Sequence, residues 1–150
     1  MYLMKRKHGS FFEYENERNN DLMRAYSEQI AMHYQARIPI RLEQVFKNIS
    51  SMPSARFWVS EERAAIVVSN IIKGDRLENM GPKKRKMFME IYRRTMLIKE
   101  KHPHMSLYKI VTKVCSQPAP EFYLTPNSIK VIIYKIRRQW YEKRKLSMQS

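Results

Sequence analysis

Ser51-Met-Pro-Ser-Ala-Arg-Phe-Trp-Val-Ser60 and Ser116-Gln-Pro-Ala-Pro-Glu-Phe-Tyr-Leu-Thr125 are the two stretches on which the reading of this chain turns. They lie 65 positions apart, and in that register a serine, a proline, an aromatic pair, an aliphatic residue and a hydroxyl coincide. The same offset lays Leu42, Val45, Phe46 and Ile49 over Leu107, Ile110, Val111 and Val114. It also lays Ala64, Val67, Val68 and Ile71 over Ile129, Ile132, Ile133 and Ile136. The spacing within these quartets, i, i+3, i+4 and i+7, is that of one apolar helix face. What recurs is therefore a helix, a connection and a second helix. Upstream, Leu22, Met23, Tyr26 and His33 fall over Met87, Phe88, Ile91 and Ile98, which adds a first helix to each copy.

The pattern predicts an all-α chain of two tandem three-helix units, with helices over roughly 21–35, 41–51 and 60–73, then 82–101, 106–116 and 126–145. The expected organisation is a basic N-terminal arm (1–19), a first unit (20–74), a basic linker (75–85), a second unit (86–145) and a tail (146–150). Asn20 or Asp21, Ser60, Ser106 and Thr125 followed by Pro126 stand where N-caps belong. Gly74 stands where a C-terminal left-handed residue belongs. Fragments of strand at Phe57 to Val59 and Phe122 to Leu124 would make at most a minimal pairing.

Composition narrows the function. Twenty-nine Lys and Arg against 14 Asp and Glu give a formal charge of +15 in 150 residues, a field that polyanions feel at long range. With 43% apolar residues the chain still buries a core, so the charge does not mean disorder. The surplus climbs along the chain: the last 50 residues hold 10 basic groups and 2 acidic ones. Cys115 is the single cysteine, which rules out an internal disulfide and fits a reducing, cytoplasmic setting. The N-terminal residues lack the apolar core of a signal peptide, and no apolar run reaches the roughly 18 residues of a membrane span.

Three short helices of which the last is longest and most basic have the layout of a helix-turn-helix module, whose third helix lies in the DNA major groove. At class level, residues 21–73 and 86–138 resemble the tandem helix-turn-helix domains of mobile-element and phage DNA-binding proteins. The resemblance implies a non-enzymatic regulatory or accessory factor with DNA as its partner. One departure stands out: the connections 52–59 and 117–124 are about eight residues long, where that family turns in three or four.

The last helix is the expected contact surface. Ile129, Ile132, Ile133, Ile136 and Trp140 form its apolar stripe, leaving Asn127, Ser128, Lys130, Tyr134, Lys135, Arg137, Arg138 and Tyr141 on the rest, with Lys143, Arg144 and Lys145 beyond. Asn and Arg are the residue types that pair bidentately with adenine and guanine, and Lys and Tyr reach phosphates. Lys83, Lys84, Arg85 and Lys86 put four cations in the first turn of a helix, where the dipole disfavours them and an external phosphate would offset the cost. Lys5-Arg6-Lys7 reads as a frayed terminus or a minor-groove arm, and Arg56 and Arg63 as further backbone contacts. In the first unit Glu61 and Glu62 open the third helix, which suits the dipole and repels phosphate; that unit is expected to pack or form a homo-oligomer. The pairs Phe57-Trp58 and Phe122-Tyr123 are expected to lid each unit's own core rather than stack on bases.

Catalysis finds no footing. Asp21 and Asp75 are the only aspartates, and no carboxylate or thiol lies at ligand spacing from His102 and His104, so neither a metal nor another cofactor is expected. Cys115 sits on an apolar helix face and reads as a buried thiol. Three readings stay open besides duplex DNA: an RNA or single-strand binder, a basic helical assembly subunit with an acidic protein partner, and, least favoured, a membrane-surface helix.

Overall fold

A computed structural model describes the backbone of residues 2–149 and the side chains of residues 14–149. The described residues form six α-helices: α1 (Tyr2–Gln35), α2 (Leu42–Ser50), α3 (Glu61–Ile72), α4 (Pro82–Lys101), α5 (Leu107–Cys115) and α6 (Pro126–Gln149). The protein is all-helical, and among the described residues no helix is long and apolar enough to cross a membrane. Ser60 accepts from the Arg63 N–H and Ser106 from the Lys109 N–H, both at 3.2 Å, and Thr125 accepts from the Ser128 N–H at 3.1 Å. These hydroxyls satisfy donors that a helix start leaves open. Gly74 closes α3 at φ 108°, a conformation that suits glycine.

The N-terminal boundary needs correcting. Helix α1 runs from Tyr2, well ahead of the start expected near residue 20, and Asp21 lies inside the helix instead of capping it. Tyr14, on α1, donates to both Glu61 carboxylate oxygens at 2.7 Å. Asp21 accepts from the Ala55 N–H at 2.8 Å and from Trp58 Nε1 at 3.0 Å. No proline interrupts residues 2–35, and these tertiary anchors hold the helix where propensity alone did not call for one. The cations at Lys5 to Lys7 lie outside the residues whose side chains are described.

The grouping of consecutive helices is the larger correction. Leu22, Ala25, Val45, Phe46, Ile49, Ile129 and Ile133 form one core, from α1, α2 and α6, with Phe122 added. Ala64, Val67, Val68, Met87, Phe88, Ile91, Ile110, Val111 and Val114 form the other, from α3, α4 and α5, with Phe57 and Tyr123 added. Each half of the chain thus sends its third helix into the core of the other. The connections cross where Ser54 and Ala119 exchange both backbone hydrogen bonds, at 3.0 and 3.1 Å, as an isolated antiparallel bridge. That bridge replaces the strand pairing expected a few residues later. Proline at 53, 118 and 120 biases these segments toward extended backbone, which carries the following helix across instead of folding it back.

The aromatic pairs divide at the crossing. Phe57 enters the second core and stacks on Tyr123 at 6.0 Å, while Trp58 packs on the first core, which Phe122 enters from the other connection. The rings are used as core, as expected, but each pair serves both cores. Tyr123 takes φ 57°, costing about 1–2 kcal/mol for a side chain of this kind, a sum that burying its ring offsets.

Candidate nucleic-acid interface

The cations of α4 are largely engaged within the chain. Lys83 and Lys86 both pair with Glu121, at 2.8 and 2.7 Å. Burial alone would raise the Glu121 carboxyl, yet the two ammonium groups hold it below its ordinary value. Arg85 donates to the carbonyls of Leu77, Glu78 and Met80, closing the loop that precedes α4. Lys84 alone of the four is exposed with neither an ion pair nor a hydrogen bond among the described residues. Of the four cations expected to meet an anion at this turn, three thus have partners within the chain and Lys84 has none among the described residues.

Arg56 is likewise occupied. Its guanidinium pairs with Glu61 at 3.2 Å, donates to the Phe57 and Val59 carbonyls, and lies 4.5 Å from the Tyr14 ring centroid. Hydrogen bonds from Tyr14 and Arg56 outweigh burial and hold the Glu61 carboxyl below its ordinary value. Glu61 is thus a structural partner as well as a helix-opening acid. Arg63 is exposed and, with Arg76 and Lys84, borders a depression that Asp75 and Glu78 also line, so its charges are mixed.

Helix α6 differs. Ile129, Ile133 and Ile136 are buried, and from Arg137 to Gln149 every residue is exposed. Trp140, expected in the buried stripe, is 53% exposed because α6 outruns the core it packs on. The stripe ends at Ile136, while the helix continues for about 20 Å. Asn127, Lys130, Lys135, Arg137, Arg138, Lys143, Arg144 and Lys145 are all exposed, and Tyr134 is partly so. Ser128 is half-buried and joined to the Thr125 hydroxyl at 3.0 Å, which makes it part of the cap.

At 100° per residue, Asn127, Lys130, Tyr134, Arg137, Arg138, Tyr141, Arg144 and Lys145 share one side of the helix. Lys135 and Lys143 fall off it. Lys130 lies 5.8 Å from the Tyr134 ring centroid, and Tyr134 stands edge-on to Phe46 at 5.8 Å. Arg137 donates to the Tyr26 hydroxyl at 3.3 Å and lies 5.9 Å from that ring, so α1 orients it. Among the described residues Arg138, Arg144 and Lys145 form no ion pair. The orienting role of Tyr26 had no signal in the sequence, where it reads as one more residue of the α1 core face. The overhang did have one: α6 is 24 residues long and α2 is 9.

Cys115 is buried in the second core, and burial pushes its thiol up to about 12, far from the range of a nucleophile at neutral pH. No protein-family model, curated protein or solved structure matches this chain.

Proposed function

We propose that the protein binds nucleic acid, with duplex DNA as the main partner, and that it acts without catalysis as an accessory or regulatory factor. The observation that carries this reading is the contrast between its two basic clusters. Lys83, Arg85 and Lys86 near α4 are engaged by partners within the chain, whereas Arg138, Arg144 and Lys145 on one side of α6 stay exposed with no ion pair among the described residues. A helix of this diameter fits a B-form major groove about 12 Å wide. Its cations would meet phosphates, and Asn127 and Arg138 have the donor geometry to read base edges.

The same reading takes the halves as copies of one three-helix unit whose third helices are exchanged. It draws support from α2 and α5, which are nine residues each and begin 65 apart, and from the bridge residues Ser54 and Ala119, also 65 apart. On this view the α1–α2–α6 body is a helix-turn-helix-like trio whose contact helix comes from the other half. The long connections that depart from the family pattern then serve the exchange.

Binding to a mixed-sequence 30-base-pair duplex, followed by anisotropy over a salt series, tests the proposal. Arg138→Ala/Arg144→Ala is the informative variant, since neither residue has an ion pair among the described residues and the helix content should hold. It is expected to bind about tenfold more weakly and to reduce the salt slope by about two. Equal affinity and slope in the variant would remove α6 from the contact surface.

A further inference from the structure

We infer that the part of α6 beyond the core holds unpaired nucleotides next to a duplex, their bases stacked on Trp140 and Tyr141 and their phosphates on Arg137, Arg144 and Lys145. The inference rests on the nucleic-acid reading above and names its substrate class: a duplex that runs into a single strand. Trp140 is 53% and Tyr141 68% exposed, and neither makes a ring contact among the described residues. The protein thus leaves two large flat side chains in water, flanked by cations on the same side of the helix, which is unfavourable unless something covers them.

The surroundings of the rings define what covers them. Positions 137, 140, 141, 144 and 145 have i, i+3, i+4, i+7 and i+8 spacing, so one side of the helix presents a cation, two aromatic rings and two more cations over roughly 12 Å. In this exposed segment Glu142 is the only acid against Arg137, Arg138, Lys143, Arg144 and Lys145. Cations alone suffice for duplex phosphates; the ring faces find no base to stack on there, because paired bases already stack on one another. Unpaired bases do offer free faces, and aromatic rings interleaved with cations are the means by which single strands are held without reading their sequence.

A membrane surface would demand a continuous apolar side. Trp140, Tyr141 and Met148 share a side here, but Arg137, Arg144 and Lys145 interrupt it, and Leu146 lies about 140° around the helix from Tyr141. An apolar protein partner would favour the groove along α4, where Met89, Tyr92, Met96 and Leu97 lie together, over a helix with five cations.

Full-length protein is titrated with a blunt 20-base-pair duplex and with the same duplex carrying a ten-nucleotide oligothymidylate overhang, while indole emission is followed. Wild type is expected to prefer the overhang by about tenfold, with quenching of emission on binding. Trp140→Ala/Tyr141→Ala should bring the ratio of the two affinities to one, and Trp140→Phe/Tyr141→Phe should restore most of it. Equal affinity of the wild type for both duplexes would overturn the inference, as would a preference that persists in the alanine variant. So would uptake by anionic phosphatidylserine vesicles that the alanine variant loses in place of any overhang preference. Failure to bind either duplex would strike at the nucleic-acid reading itself.

Discussion

Arg94 joins α4 to the crossing: it donates to the Gln117 side chain at 3.2 Å and to the Pro118 carbonyl at 3.0 Å, and lies 4.9 Å from the Phe57 ring. Glu90 holds it in place at 2.7 Å, and Arg93 donates to the same carboxylate oxygen at 2.7 Å. Hydrogen bonds from Arg93 and Arg94 outweigh burial and bring the Glu90 carboxyl from 4.5 to about 2. A depressed carboxylate contributes stability that is present above its unfolded value and is lost as pH falls through its folded one. Glu90→Gln is therefore expected to melt lower than wild type at pH 7, and the gap should close between about pH 4.5 and 2. Thermal unfolding followed by circular dichroism across that interval checks it; a gap that stays constant would mean the carboxylate charge has no part in holding Arg94.

At the scale of elements, α6 is two helices in one: a buried half that ends at Ile136 and an exposed half that begins at Arg137. Gln139→Pro interrupts the helix just past the core, where the proline removes one backbone hydrogen bond and clashes with the carbonyl four residues earlier. Circular dichroism should record a loss of about one turn or more of helix with the melting temperature nearly unchanged, and duplex affinity should fall. A large drop in melting temperature would instead mean that the exposed half supports the core. Much of this was legible beforehand. Capping hydroxyls at Ser60, Ser106 and Thr125 marked three helix starts, and the isoleucine spacing marked the buried side of α6, because both are local properties of sequence. The early start of α1 was not legible, since Tyr14 is held by Glu61 and Asp21 by Trp58, partners 47 and 37 positions away. Nor were the ion pairs of Lys83 and Lys86 with Glu121, which lies 38 and 35 positions away.

The sequence shows a periodicity of 65, but periodicity gives only which stretches resemble each other, never which helices pack together. An apolar stripe such as Ile129, Ile133 and Ile136 is equally satisfied by the helices of its own half or of the other. Because the third helices cross, neither half holds a complete core, and opening one core withdraws α3 or α6 from its partner. The whole molecule should therefore unfold as one cooperative unit, although its two cores have no residue in common among those described. Trp58 reports on the first core in a Trp140→Phe background, and reaction of the buried Cys115 thiol reports on the second. Ile110→Ala removes a fully buried side chain from the second core alone, at a cost of about 2–5 kcal/mol. In interlocked cores the Trp58 transition moves down together with the thiol transition, and the two midpoints stay coincident. In tandem bodies that fold separately, thiol exposure moves and the Trp58 transition stays where it was; that result would overturn the exchanged packing and return each third helix to its own half.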